Sequence, residues 1–207
     1  LGTEEQLREV KLLDGTDLLE HPTFQKLLPG LREGKTVIES IRPGVGLVDI
    51  ADWEISDLAV LRPSRYPREF LGEVLLTSAI FDGARYDFHF DVNTKAIPIC
   101  SEIPFHSFKG IQFRVESLMG RWTISPDDVA VLVASAAEGT ADRPLELQYF
   151  YTEQQRVPQE VRLQKYIQGL KDAGSRYDEV PSVMAVQLER SEIGKLWRDE
   201  LSKRAQN

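Results

Sequence analysis

The chain has 207 residues, of which 42% are hydrophobic and 28% charged, and its formal net charge is −8. This composition is that of a globular protein with a sizeable core, and the negative charge disfavours nucleic acid and anionic membranes as partners. No apolar run approaches the roughly 18 residues of a membrane span. Cys100 is the only cysteine, which excludes an intrachain disulfide, and the polar N-terminus lacks the apolar run of a signal peptide. We therefore expect a cytoplasmic location.

Two helices are predicted near the N-terminus. Thr3 and Gln6 have the spacing of a capping box and precede apolar residues at helical spacing, which predicts a helix that ends at the Asp-Gly turn of residues 14–15. A second helix is predicted to begin at Pro22, with the Pro-Gly pair of residues 29–30 as its stop.

Short β-prone runs separated by turn residues follow. They predict strands at residues 36–41, 47–50, 58–61, 73–80, 85–92, 111–117, 120–124 and 145–152. Residues 125–133 carry conflicting signals, because Ser125 and Pro126 are typical of a helix start, whereas the Val-Ala-Val-Leu-Val run that begins at residue 129 is β-prone. We favour a buried strand there.

Helical spacing returns towards the C-terminus. Apolar residues three and four apart predict a helix from Pro158 to the glycine at position 174, and a last helix is predicted over residues 191–201. Residues 183–188 fit a helix or a strand equally well.

The order of these elements predicts a single α+β domain over residues 1–207. Helices are expected over 1–30 and 157–205, and a β-rich part over 35–152. Many short strands with hairpin-length turns predict a mainly antiparallel sheet, either open or strongly curved into a half-barrel, flanked by the N-terminal and C-terminal helices.

The clearest alternation in the chain lies at residues 85–92. The even positions are apolar or aromatic and the odd positions are ionisable: Tyr86, Phe88, Phe90 and Val92 against Arg85, Asp87, His89 and Asp91. Successive side chains of a strand point to opposite faces. The pattern therefore predicts an aromatic face buried in the core and an ionisable face towards solvent.

Three of these residue types suggest a metal site. His89 and Asp91 share the ionisable face and His106 follows further along, and two histidines with one carboxylate are the ligand set of the non-haem iron facial triad. The His-x-Asp pair resembles that of double-stranded β-helix oxygenases, although their second histidine usually lies much further along the chain. A divalent metal is thus one alternative, and no other cofactor is predicted. The other alternative is that His89 pairs with charged neighbours on a solvent-exposed face.

Arg62, Arg65 and Arg68 lie in a stretch that two prolines hold extended and keep out of the sheet. Guanidinium groups bind carboxylates and phosphates, so these arginines predict an anion site. The alternative is that they pair with the acidic cluster of residues 49–57, whose spacing is not that of a calcium loop and predicts a solvated surface.

No Gly-x-Gly-x-x-Gly, Walker or Gly-x-Ser-x-Gly motif occurs in the chain. With the acidic charge, this favours a non-catalytic binding or interaction protein, such as an accessory subunit, adaptor or ligand-binding module. Its partner would be a protein or a small ligand, and a homo-oligomer is compatible with the sequence. A ligand groove is predicted to be lined by Phe88, Trp122, Tyr149 and Tyr151. The alternatives are a small metal-dependent enzyme and an enzyme that binds an anionic metabolite.

Overall fold

The computed structural model describes residues 1–63, 66, 68–94, 97–109, 111, 113–134 and 145–174. The predicted elements at 183–188 and 191–201 lie outside the described residues. The helices are α1 (Glu4–Leu7), α2 (Pro22–Arg32), α3 (Leu71–Ile80), α4 (Glu102–Ser107), α5 (Pro126–Ala134) and α6 (Gln159–Asp172). The strands are β1 (Val37–Ile41), β2 (Gly44–Val48), β3 (Leu58–Pro63), β4 (Glu116–Leu118), β5 (Arg121–Thr123), β6 (Leu145–Thr152) and β7 (Gln155–Arg156). Short 3₁₀ helices lie at Leu18–Glu20, Ile50–Asp52 and Arg68–Phe70.

The described strands form three small sheets, ordered β1-β2, β3-β6-β7 and β4-β5, and every pairing is antiparallel. None of these sheets closes into a barrel. The predicted α+β class with antiparallel sheet is therefore confirmed. The β-structure is divided among separate hairpins and one three-stranded sheet, instead of curving as one half-barrel.

The capping signal at the N-terminus is confirmed, but both predicted helix ends are wrong. Thr3 Oγ1 accepts the Gln6 backbone N–H at 3.3 Å and Gln6 Oε1 accepts that of Thr3 at 2.9 Å, yet α1 already ends at Leu7. The second helix continues through Pro29 as far as Arg32. Leu31 is buried one turn beyond Leu27. The free energy gained by burying Leu31 exceeds the cost of the one backbone hydrogen bond that Pro29, without an N–H, cannot donate, so the helix continues for another turn.

Residues 73–80 were predicted to be a strand and instead form most of α3. The helix is buried on several sides, with Val74, Leu76 and Ala79 in the core and Glu73 and Thr77 also covered. A helix that is covered all round is apolar all round, so its sequence lacks the 3.6-residue period that would distinguish it from a buried strand.

The strand favoured for residues 125–133 is also wrong, because these residues form α5. Ser125 Oγ accepts the Asp128 backbone N–H at 3.1 Å, and Asp128 Oδ2 accepts that of Ser125 at 2.7 Å. This reciprocal pair is a capping box. It starts the helix, and the burial of Val131, Leu132 and Val133 then outweighs the low helix propensity of valine.

Two main apolar clusters hold the fold together. The larger one joins α4, α5, α6 and β6 and includes Val92, Phe105, Phe113, Ile124, Leu132, Leu145, Phe150 and Tyr166. The second one joins α1, α2 and α3 and includes Leu7, Leu12, Leu18, Phe24, Leu27, Leu31, Leu76 and Ala79.

Candidate functional site

Residues 84–94, which we call the aromatic loop, do not form the strand predicted at 85–92. Within this segment only Arg85 makes a bridge, an isolated one to Gly44. The loop connects the turn after α3 to the segment that leads into α4. In this conformation, two of the side chains that the alternating pattern predicts to be buried are exposed, and one that it predicts to be exposed is buried.

The buried side chain of Asp87 shapes the aromatic loop. Its carboxylate accepts three hydrogen bonds, from the His89 backbone N–H at 2.7 Å, the Asp91 backbone N–H at 3.0 Å and Thr94 Oγ1 at 2.9 Å. An aspartate that bonds nearby backbone N–H groups offers the chain an alternative to a sheet ladder. Asp87 is 0% exposed, although the strand pattern predicts it on the solvent face.

The aromatic side chains take the opposite position to the predicted one. Phe88 and Phe90 are 56% and 44% exposed, whereas Val92 is buried in the larger cluster, as the pattern predicts. The half-buried Tyr86 ring lies 5.2 Å from that of Phe88 and 6.2 Å from that of Phe90, both edge to face. Phe90 has a φ of 54°, a strained conformation for a bulky side chain.

Both ends of the aromatic loop are held by neighbouring strands. At its start, the Val45 backbone N–H donates to Ala84 O at 2.8 Å and the Tyr86 N–H donates to Pro43 O at 3.2 Å. Near its end, the Val92 N–H donates to Trp122 O at 2.9 Å. The exposed phenylalanines are therefore presented by a loop that is fixed on two sides and from within.

Three exposed arginines, Arg42, Arg85 and Arg121, lie in or beside the aromatic loop, and we call them the arginine rim. Arg42 Cζ lies 5.2 Å from the Phe88 ring centroid, and Arg121 Nη1 donates to His89 O at 3.1 Å. All three arginines are exposed. In the described part of the chain, no carboxylate lies within 4.0 Å of their nitrogens.

Further exposed apolar side chains lie in the turns beside the rim. Ile41 ends β1 next to Arg42, and Leu118 and Met119 form the β4–β5 turn that leads to Arg121. Met119 is 95% exposed. Because monomeric proteins rarely expose such side chains together, the aromatic loop with its rim has the character of a recognition surface.

An unusual carboxyl group, Glu102 on α4, is electrostatically coupled to the aromatic loop. It is 1% exposed; its Oε2 accepts the Ile99 backbone N–H at 2.9 Å, and within the described part of the chain its Oε1 has no hydrogen-bond partner. Burial, together with the charges of Asp87 and Asp91, raises the pKa of Glu102 to about 7. This carboxyl therefore changes protonation near neutral pH.

The predicted metal ligands lie in different surroundings. His89 is exposed, Asp91 is half-buried, and His106 is buried with its ring 4.9 Å from that of Phe105 and 6.1 Å from that of Phe81. Neither ring nitrogen of His106 has a hydrogen-bond partner among the described residues, and burial lowers the pKa of this side chain to about 3. Among the described residues, no group of three His, Cys, Asp or Glu side chains is arranged to hold a metal ion. The geometry gives this ligand set no support.

The structure places the predicted arginine site partly within a strand. Arg62 and Pro63 belong to β3 and pair with β6, so the prediction that this stretch stays out of the sheet is wrong at its start. Arg62 and Arg68 are both exposed, and Arg65 lies outside the described residues. Anion binding by these arginines stays a prediction.

The four aromatic residues of the predicted groove lie on three different elements. Phe88 is in the aromatic loop, the half-buried Trp122 packs against the larger cluster, and Tyr149 and Tyr151 are half-buried on β6. Arg156 Cζ lies 5.3 Å from the Tyr149 ring centroid. A groove that joins all four residues stays a prediction.

The sequence reasoning missed the arginine rim and the role of Asp87. Arg42 and Arg121 are distant from the aromatic loop in the sequence, so only the hairpins bring them to it. A local signal for the loop was present, because Asp87, Asp91, Asn93 and Thr94 are residues whose side chains often bond nearby backbone. Asp91 Oδ1 indeed accepts the Asn93 backbone N–H at 3.1 Å.

A second surface feature is an open depression of about 680 Å³ between residues 54–57 and the β6–β7 turn. Its lining includes Glu54, Asp57 and Glu153, and none of the described residues that line it is a lysine or arginine. We call it the acidic depression.

No helix in the described part of the chain is long and apolar enough to cross a membrane. Comparison with protein-family models, with curated proteins and with solved structures found no match to this chain.

Proposed function

We propose that the chain is a non-catalytic interaction protein that binds a protein partner through the aromatic loop and the arginine rim. The observation that carries this proposal is the exposure of Phe88 and Phe90 on a loop that a buried carboxylate holds in place. A loop without function would gain stability by burying these rings, because each buried phenylalanine contributes roughly 1.5–3 kcal/mol.

The composition and rigidity of the surface support this role. Aromatic and arginine side chains are enriched among the residues that carry most binding energy in protein interfaces. Since the aromatic loop is already held by Asp87 and by two strands, little conformational entropy is lost when a partner binds.

The arginine rim defines the chemistry of the partner. Three exposed guanidinium groups on a protein of net charge −8 form a local cationic surface, and that of Arg42 lies over the exposed Phe88 ring. A segment that combines carboxylates with apolar side chains complements both features, and the charges increase its rate of association.

The proposal includes two expectations from the sequence, on the class of partner and on location. The overall negative charge disfavours nucleic acid and anionic membranes as partners. A cytoplasmic location agrees with the single cysteine.

The proposal is tested by quantitative affinity capture from the native cell lysate with three forms of the chain. The loop variant, Arg85→Glu with Phe88→Ser, removes one cation and one ring of the surface. The control, Lys26→Glu with Val161→Ser, reverses one cation and removes one apolar side chain at exposed positions on α2 and α6. We expect wild type and control to capture the same protein and the loop variant to lose it.

Equal capture by all three forms would contradict the proposal. Binding to membranes in place of a protein would also contradict the proposal. In that case wild type would bind vesicles that contain phosphatidylserine, the loop variant would not bind them, and no form would capture a protein.

A further inference from the structure

We infer that the aromatic loop of one molecule binds the acidic depression of a second copy of this chain, so that molecules associate head to tail. This inference rests on the proposed function, because it uses the same surface and names its partner.

The acidic depression has the chemistry that the aromatic loop requires. Glu54, Asp57 and Glu153 give it three carboxylates, and Ile55 adds an apolar side chain. Asp57 accepts a hydrogen bond from Thr152 Oγ1, which holds this carboxylate in place, and Lys165 approaches Glu153 only to 4.0 Å. Guanidinium groups of the rim would meet these three carboxylates, of which Glu153 also pairs with Lys165.

One surface projects and the other is an open depression. The aromatic loop is a projecting segment with Phe88 56% exposed, whereas the depression is a concave region of about 680 Å³. A phenylalanine side chain with an adjacent guanidinium fits within a volume of this order, which is in the range of ligand pockets, about 300–1,000 Å³.

The β1–β2 hairpin lies between the two surfaces along the chain. Gly44, at its turn, is bridged to Arg85 of the aromatic loop, and Asp49 follows Val48 at its open end and begins the segment that leads to Glu54. A five-residue strand spans roughly 16 Å. Because the two molecules use different surfaces, the contact is heterologous. Repeated contacts of this kind build a closed ring of molecules if the rotation between neighbours closes, and an open filament if it does not.

The test is sedimentation velocity of the full chain over a range from about 10 µM to about 1 mM, where weak association is measurable. The loop variant, Arg85→Glu with Phe88→Ser, keeps its depression. The depression variant, Glu54→Arg with Glu153→Arg, keeps its loop. We expect wild type to associate as its concentration rises and each variant alone to associate at least tenfold more weakly, since charges are reversed at the contact.

The decisive sample is an equimolar mixture of the two variants. Each contributes one intact surface, so we expect the mixture to form a dimer at concentrations where either variant alone is monomeric. Lys26→Glu is the matched charge control and is expected to associate like wild type. Thermal unfolding of each variant at the same temperature as wild type shows that the variants are folded. Arg121→Glu is a second loop variant, and it leaves Phe88 and Arg85 unchanged.

A wild type that sediments as a monomer throughout this range overturns the inference, as does a mixture that gives no dimer. Undiminished association of the loop variant overturns it too. If wild type is monomeric but still captures another protein that the loop variant loses, the second copy is the wrong partner and the proposed function stands. If that capture is also equal in all forms, both fail.

Discussion

At the scale of single residues, Asp87 determines the conformation of the aromatic loop. Its carboxylate accepts three hydrogen bonds within seven residues, and it is fully buried. The hydrogen bonds of this one side chain thereby replace the backbone pairing with a neighbouring strand. The exposed positions of Phe88 and Phe90 follow from the loop conformation that Asp87 holds.

Asp87→Asn tests this role. Asparagine keeps one acceptor oxygen but turns an amide donor towards the Asp91 backbone N–H, or towards that of His89. We expect the free energy of unfolding to fall by about 2–3 kcal/mol, as for hydrogen bonds to charged groups. Urea denaturation measures it, with the exposed Asp52→Asn as control, which is expected to change stability by less than about 0.5 kcal/mol. Equal effects of the two substitutions would show that the Asp87 carboxylate is not what holds the loop.

Glu102 gives the fold a dependence on pH. Its pKa is raised from 4.5 to about 7 in the folded state, so the folded protein binds this proton more tightly than the unfolded chain does. The contribution of Glu102 to stability is therefore complete below pH 4.5 and is lost as the pH rises through 7. The full difference corresponds to about 3 kcal/mol.

Glu102→Gln removes this dependence while keeping an acceptor for the Ile99 backbone N–H. We expect the variant to gain stability relative to wild type as the pH rises from 5 to 8, by about 2–3 kcal/mol. Urea denaturation at both pH values measures the gain. A difference between variant and wild type that is the same at pH 5 and pH 8 would contradict a raised pKa.

At the scale of elements, the sequence predicts best where a local rule coincides with the packing. β6 has the predicted bounds of residues 145–152, and α6 ends before a glycine at 174 with a φ of 71°. Capping groups at Thr3 and at Ser125 also mark real helix starts.

The same local rules fail where burial or a side-chain acceptor overrides them. α3 and α5 are covered on several sides, so their apolar runs show no helical period and suggest strands. At residues 85–92 a perfect alternation is overruled by Asp87, which bonds the backbone of its own loop. The arginine rim was not predictable at all, because the β1–β2 and β4–β5 hairpins bring distant residues to the loop.

Two glycines in helices give a matched test of element packing. A Cβ on Gly72 of α3 would lie 2.2 Å from Lys11 O, whereas one on Gly169 of α6 would meet nothing within 4 Å. We expect Gly72→Ala to cost about 2 kcal/mol or more, since the backbone of residue 11 must move, and Gly169→Ala to add up to about 1 kcal/mol. Thermal or urea unfolding measures both. A well-tolerated Gly72→Ala would contradict the close approach of the two segments.

At the scale of the whole molecule, an acidic chain presents one cationic and aromatic surface. The net charge is −8, yet the exposed Arg42, Arg85 and Arg121 lie in or beside the aromatic loop. The cationic surface lies at the turn of the β1–β2 hairpin, and acidic residues follow the hairpin along the chain. We expect a partner to contact the molecule at the aromatic loop.

Photo-cross-linking tests this expectation in the intact protein. The photoreactive amino acid p-benzoylphenylalanine replaces Phe88, whose exposure allows the larger ring, and in a control it replaces the exposed Val161 of α6. After irradiation in cells, we expect the protein with the photoreactive group at position 88 to form a discrete adduct, either with another protein or with a second copy of this chain. We expect the same adduct to be at least several-fold weaker when the group is at position 161. Adducts of equal intensity from both positions, or none from position 88, would contradict the assignment of the aromatic loop as the binding surface.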